Sequence, residues 1–198
     1  LGNIQALEAV QPVDLTAGEI GIRIGVNWVP KEIYEQFMYE VFGTSSYARY
    51  KIKVLYSPHS GEWNVTSKSM DGSNIKAVTT YGTKRINAYH IFEQTLNQKD
   101  VRIFDTRIDA HGNEVRVLNK RETAIAQDRQ ELIKAKFAEW IWKDIDRRER
   151  LCGIYNELFN SLRPREYDGQ HIRFSGMNPE ISLRKHQINA IAHIIYGG

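Results

Sequence analysis

Lys51-Ile52-Lys53-Val54-Leu55-Tyr56-Ser57 alternates polar and apolar residues, Pro58-His59-Ser60-Gly61 carries turn chemistry, and Glu62-Trp63-Asn64-Val65-Thr66-Ser67-Lys68 resumes the alternation. A period of two sends successive side chains to opposite faces, so the stretch reads as a hairpin of half-buried strands over 51–57 and 62–68. The plan returns downstream. Val101 to Ile108 reads as a strand, Asp109-Ala110-His111-Gly112-Asn113 as a turn and Glu114 to Leu118 as the returning strand. A helix follows each hairpin: one capped by Gly82-Thr83 and running through Leu96, and a longer one over about 120–143. Two strand-strand-helix units in succession specify an α+β fold, a small, mainly antiparallel sheet with helices packed on it.

Around these units the periodicity turns helical. Pro30 opens a helix from Lys31 to Phe42, with Ile33, Tyr34, Phe37, Met38 and Val41 as its apolar stripe and Gly43 as its stop. Ile75 to Thr80 reads as a short extended piece. In the helix ending at Leu96, Ile86, Tyr89, His90, Ile91 and Phe92 supply the inward face. In the long helix Ile125, Leu132, Ile133, Phe137, Trp140 and Ile141 form the buried stripe, and Arg129, Lys134, Lys136 and Lys143 face out. Asp144 to Asp146 ends it, and a further helix from about Arg147 to Leu162 carries Leu151, Ile154, Tyr155, Leu158 and Phe159 inward. The expected organisation is an extended leader over 1–28, the α+β domain over 29–162, a Pro- and Gly-bearing connector over 163–181, and a separate terminal helix over 182–198. Within the leader, Thr16 and Glu19 have the spacing of a capping box. Ser182 is the expected cap of the terminal helix, Leu183, Ile188, Ala190, Ile191, Ile194 and Ile195 its apolar positions, and Gly197-Gly198 its end.

The 198 residues are 41% hydrophobic and 26% charged, ordinary for a globular domain, and the 27 basic against 24 acidic side chains leave a formal charge of +3. That balance permits contact with nucleic acid but lies far from that of a DNA-coating protein. The single cysteine, Cys152, excludes an internal disulfide and a thiolate metal cluster. With no long apolar run and no signal-peptide pattern, the expected location is the cytoplasm, with no membrane partner. The chain opens on Leu1 rather than Met and closes on a Gly pair, which reads as a piece of a longer polypeptide.

Catalytic patterns are missing from the sequence. Gly82-Thr83-Lys84 lacks the first glycine of a Gly-x-x-x-x-Gly-Lys-Ser/Thr phosphate loop, and Asn178-Pro179-Glu180 is not the Asn/Asp-Pro-Pro-aromatic motif that holds a flipped adenine. The six histidines have no metal-ligand spacing, and Asp105, Asp109 and Glu114 read as solvated hairpin charges rather than a Mg²⁺ site for a nuclease. The candidate nucleic-acid contacts are Lys84 and Arg85 beside Tyr81, the cluster Arg147, Arg148 and Arg150, and Arg163 and Arg165 beside Tyr167. Basic groups neutralise phosphates, and aromatic neighbours stack on exposed bases. The competing reading is a salt-bridged surface, because Asp144, Asp146 and Glu149 interleave with the arginine cluster.

Leu183-Arg184-Lys185-His186-Gln187 at the start of the terminal helix resembles the adenine-reading element of superfamily 2 helicases. Met177-Asn178-Pro179-Glu180-Ile181 before it, Arg163-Pro164-Arg165-Glu166-Tyr167-Asp168-Gly169, Leu7-Glu8-Ala9-Val10-Gln11-Pro12, Asp14-Leu15-Thr16-Ala17, Trp28-Val29-Pro30, Tyr81-Gly82-Thr83-Lys84-Arg85-Ile86-Asn87-Ala88-Tyr89 and Arg147-Arg148-Glu149-Arg150-Leu151-Cys152 extend the likeness. Together they resemble the large helicase and adenine-specific DNA-methyltransferase fusion proteins of bacterial mobile elements and phages. The resemblance implies that the terminal helix opens a helicase-like motor lobe, that Gln187 and Arg184 contribute to ATP binding, and that the segment itself is not catalytic. It also implies ATP and Mg²⁺ as cofactors of the whole protein, with DNA and the remaining helicase and methyltransferase domains as partners. A purely structural or protein-interaction spacer between methyltransferase and motor is the alternative.

Overall fold

The computed structural model describes residues 11–161, 167–178 and 180–197, which divide between two units, Asp14–Leu158 and Leu1–Val13 with Phe159–Gly198. The chain runs through α1 (Lys31–Val41), α2 (Ser46–Arg49), β1 (Val54–Ser57), β2 (Glu62–Val65), a π-helical turn Lys76–Thr80, α3 (Ala88–Leu96), β3 (Phe104–Ile108) and β4 (Glu114–Leu118). There follow α4 (Lys120–Ile141), α5 (Ile145–Tyr155), a second π-helical turn Asn156–Asn160 and α6 (Lys185–Tyr196). The fold is α+β. Its strands pair as two separate antiparallel hairpins, each a two-stranded sheet.

In the larger unit the core lies between α1, α3 and α4. Phe37 is fully buried, its ring 5.9 Å from Phe42, 5.6 Å from Phe92, 5.2 Å from Phe137 and 5.3 Å from Trp140. The end of α1 is a Schellman turn: Gly43 takes φ +64°, and the Thr44 N–H reaches back to the Tyr39 carbonyl at 3.1 Å. Residues 14–28, read as a leader, belong to this unit, and Ile20 and Ile24 are buried. The Glu19 carboxylate accepts from the Thr16 N–H at 2.9 Å, but only a turn forms there. Asn156 holds the same segment by both backbone groups of Leu15, accepting from its N–H at 2.8 Å and donating to its carbonyl at 3.0 Å.

The first hairpin turns Val54, Val65 and Trp63 inward, with Tyr56 across from Trp63 and their rings 4.6 Å apart. It is shorter than the alternation predicts. Past Val54 and Val65 the Thr66 N–H still donates to the Lys53 carbonyl at 2.9 Å, but the Lys53 N–H bonds the Thr66 hydroxyl at 2.9 Å, and that hydroxyl donates to the Lys51 carbonyl, so the regular ladder ends there. Glu93 of α3 and Asn97 at its C-cap then pair the free edge of β2: Glu93 accepts from the Val65 N–H at 2.7 Å, and the Asn97 amide takes the Trp63 N–H at 2.8 Å and its carbonyl at 2.7 Å. A bare strand edge leaves buried backbone groups unpaired, and these amide and carboxylate groups supply the bonds a third strand would give.

The same device corrects the second strand. Val101 and Ile103 are buried but not in a ladder. Gln130 accepts from the Val101 N–H at 3.2 Å and donates to the Lys99 carbonyl at 2.8 Å, while Thr123 accepts from the Ile103 N–H at 3.0 Å. The inward face of α4 is accordingly Thr123, Ala126, Gln130, Ile133, Phe137 and Ile141, with Ile125 36% exposed and Leu132 only half-buried. An apolar count cannot anticipate a stripe that contains two polar residues. The β3–β4 hairpin itself is exposed along nearly its whole length.

Four further segments differ from the periodic reading. Residues 75–80 are not extended: the Tyr81 N–H closes a π turn on the Lys76 carbonyl at 2.9 Å, and Asn74 caps it by accepting from the Ala77 N–H at 3.3 Å. The α3 cap is Asn87, which accepts from the His90 N–H at 3.1 Å, rather than Gly82-Thr83, and His90 is half-buried beside it. Asp144 caps α5, which therefore begins at Ile145 and gives way after Tyr155 to the π turn, leaving Leu158 and Phe159 exposed and Asn156 buried. The short helix α2, capped by Ser45, is too brief to show a helical period in the sequence.

A polar knot sits beside the core. The buried Asp71 carboxylate accepts from the Ser45 hydroxyl at 2.9 Å, the Asn74 amide at 2.8 Å and the Tyr89 hydroxyl at 2.8 Å, and Tyr89 also shares a 2.9 Å bond with the Thr44 hydroxyl.

In the smaller unit α6 begins at Lys185 with Arg184, not Ser182, at its N-cap. The Tyr167 ring stacks on His193 at 4.8 Å, the Gly169 N–H donates to Asn189 at 3.2 Å, and His171 and Tyr196 share a 3.2 Å bond. Ala192 is buried, and Ala190, Ile194 and Ile195 are exposed.

Candidate nucleic-acid interface

The loop that carries Lys84 and Arg85 is built on a close backbone approach. A Cβ at Gly82 would lie 2.2 Å from the Ala77 carbonyl oxygen and 3.0 Å from the Ala88 nitrogen, so glycine is what lets the loop leave the π turn and enter α3. Thr83 closes it: its N–H donates to the Ile86 carbonyl at 2.7 Å, and its hydroxyl accepts from the Arg85 and Ile86 N–H groups, each at 3.2 Å. Gly82→Ala is expected to cost about 2 kcal/mol of unfolding free energy through forced backbone movement. Urea unfolding checks this, and an unchanged midpoint would show that the approach is not needed.

At the tip Lys84 is exposed and enters no ion pair among the described residues. Arg85 is anchored, with Nη1 2.9 Å from Asp105 and Nη2 3.0 Å from the Phe104 carbonyl. The Asn119 amide, first, and Arg85, second, hold the Asp105 carboxyl below its usual range. Tyr81 packs against Phe42 at 5.3 Å. The loop separates two open clefts. One, of about 440 Å³, is lined by Val78, Thr83, Lys84, Glu122, Ile125 and Arg129 among others. The other, of about 480 Å³, includes Lys84, Asn87 and His90. Burial, then Lys68, draws the His90 pKa down.

Arg129, read as facing out, is partly buried, and its Nε has no hydrogen-bond partner. No signal in the sequence marks it, because its inclusion follows from the phase of α4, which Thr123 and Gln130 set.

The arginine cluster divides. Arg147 is buried and turned inward: Nε donates to the Ile141 carbonyl at 3.0 Å, Nη2 to the Trp140 carbonyl at 2.7 Å, and the guanidinium lies 3.5 Å from the Trp140 ring centroid. It caps the end of α4, where the last carbonyls lack helical partners. Arg148 and Arg150 are exposed, and no ion pair among the described residues reaches them. Neither Asp144, which caps α5, nor Asp146 or Glu149 neutralises them in this way. Arg163 and Arg165 lie outside the described residues.

In α6 Gln187 is the third helical residue, and its Oε1 accepts from the Arg184 N–H at 2.9 Å. The Gln187 amide is thus half-committed to closing the helix start, and the Arg184 side chain is exposed. Among the described residues no group of three His, Cys, Asp or Glu side chains gathers to hold a metal ion. Nor is any helix there long and apolar enough to cross a membrane.

No curated protein and no solved structure matches the chain. One family model does, over residues 23–161, from the segment before α1 to just beyond the second π turn. It covers well over half of the 198 residues, and the chain belongs to that family, DUF8437, described as a domain of unknown function.

Proposed function

We propose that this chain is a DNA-contacting, non-catalytic part of an ATP-driven, helicase-like DNA translocase joined to an adenine-specific DNA methyltransferase and working in the cytoplasm. The observation that carries the reading is the loop 82–86, closed by Thr83 and tied down through Arg85, which holds Lys84 in solvent between two open clefts. A preorganised cation binds a phosphate with little ordering cost. Arg148 and Arg150 add exposed charge, and Arg163 and Arg165 belong to the same proposal. ATP and Mg²⁺ fall to the rest of such a protein, with Arg184 and Gln187 contributing to the nucleotide. Gln187 offers its NH₂ group freely, and its oxygen after release from the Arg184 N–H.

A second reading, a spacer between methyltransferase and motor, is favoured by one observation: Arg147 and Arg85 spend their guanidinium groups on the fold. Fluorescence anisotropy of single-stranded and duplex DNA across a salt series separates the two. Binding is expected to weaken linearly with log salt. The Lys84→Ala, Arg148→Ala, Arg150→Ala triple variant is expected to lower the slope by about 0.7 to 0.9 for each phosphate it no longer neutralises. Absence of binding at low salt overturns the DNA reading in favour of the spacer, and an unchanged slope in the variant overturns Lys84, Arg148 and Arg150 as its contacts.

A further inference from the structure

We infer that the 440 Å³ cleft between the 82–86 loop and α4 is a binding site for one nucleotide unit, with Arg129 as the group that takes its phosphate. The inference rests on the reading of that loop as a nucleic-acid contact and deepens it. Glu122, Ile125 and Arg129 stand three and four residues apart on α4 and line the cleft on one face of that helix. Lys84, and Val78 on the π turn, line the same space.

The chemistry of these groups is complementary to a phosphate ester on a flat ring system. The Arg129 side chain lines the cleft, and its Nε–H is shut off from solvent and meets no acceptor where it lies, so a phosphate in the cleft meets it once the guanidinium turns outward. A buried guanidinium donor left unpaired is costly, and a phosphate oxygen is the acceptor its planar fork fits best. Lys84 adds a second cation without an ion pair. Ile125, 36% exposed, and Val78 offer apolar surface on which a base or sugar can lie. Glu122 is the remaining charge. Its carboxylate repels a phosphate and accepts from an amino or hydroxyl group, so it orients the ester with the phosphate toward Arg129 and Lys84. The volume falls in the range of small-ligand sites.

The ester can come from a free nucleotide or from a strand, and the test distinguishes them. The ¹⁵N-labelled Arg129 Nε–H resonance is followed while inorganic phosphate, adenosine monophosphate and a short thymidine strand are added in turn to the whole chain. The resonance is expected to shift and saturate with the nucleotide and the strand, and to do so more weakly with phosphate alone. Arg129→Gln is expected to bind the strand about tenfold more weakly. Its melting temperature should not fall, because the Nε–H it removes bonds nothing in the protein. Arg129→Lys, which keeps the charge but not the fork, should not restore binding.

A resonance that none of the three ligands moves, with Arg129→Gln binding the strand like the unaltered chain, overturns the site. If that same result comes with loss of binding in the Lys84, Arg148 and Arg150 variant, the DNA reading stands without the cleft. A resonance moved by the mononucleotide in a chain with no affinity for the strand leaves the cleft as a free-nucleotide site and removes the DNA reading.

Discussion

Phe37→Ala is expected to lower the unfolding free energy by about 4 kcal/mol, a large share of the 5–15 kcal/mol that a domain possesses. Phe37 has no exposed surface and, among the described residues, is the one ring that touches Phe42, Phe92, Phe137 and Trp140 together, so it joins the end of α1 to α3 and α4. Truncation removes the transfer free energy of the ring and leaves a cavity walled by four aromatic groups, which are too large and too constrained to collapse into it. Phe37→Leu, which keeps much of the volume, should lose less than half as much. Urea unfolding of both variants measures the difference. A loss below about 1 kcal/mol for the alanine variant would mean that the ring is not where the three helices are held together.

Asp71→Ala is expected to cost about 3 kcal/mol, because it strands the Ser45 hydroxyl, the Asn74 amide and the Tyr89 hydroxyl in a buried place. The carboxyl also carries a pH signature. Burial pushes its pKa up, but the bonds from Asn74, Tyr89 and Ser45 outweigh that, and the folded value ends below the usual one. The folded state therefore holds this proton more weakly than the unfolded chain does. The stabilisation is fully present above the unfolded pKa, about 3.9, and is lost as pH falls through the lower folded value. Asp71→Asn should remove this part of the acid sensitivity while costing less than Asp71→Ala at neutral pH. Unfolding curves taken between neutrality and strong acid decide it. An Asp71→Asn curve parallel to that of the unaltered chain over the acid range would show that the knot does not depend on the charge.

Much of the architecture could be read from the order of residues, for a local reason. The α1 stripe, both turns and the extent of α4 depend on periodicity and turn chemistry within a few residues, and those elements lie where the pattern puts them. The remainder depends on pairings far along the chain. Residues 101–103, read as strand, are instead bonded by Gln130 and Thr123, and the edge of β2 is paired by Glu93 and Asn97, so periodicity overstates a ladder and overlooks a buried polar face. The site divides along the same line. Lys84, Arg148 and Arg150 are exposed, as charge on a polar face implies, whereas Arg147 is drawn in by the open carbonyls at the end of α4 and by the face of Trp140. Charge and spacing do not distinguish Arg147 from its neighbours, because the carbonyls and the ring that hold it take part only once α4 has ended and α5 has begun.

The bonds between Asn156 and Leu15 have a mechanical meaning. They join the first residues of the larger unit to its last turn, so the two ends of Asp14–Leu158 emerge at one point. Tension applied through the flanking chain enters and leaves there and loads the Asn156–Leu15 bonds, as well as the bond from the Asn160 amide to the Val13 carbonyl, before it reaches a helix or a hairpin. Once those bonds give way, the segment is still held by the buried Ile20 and Ile24 side chains, and the aromatic core behind α1 bears load only after these are drawn out.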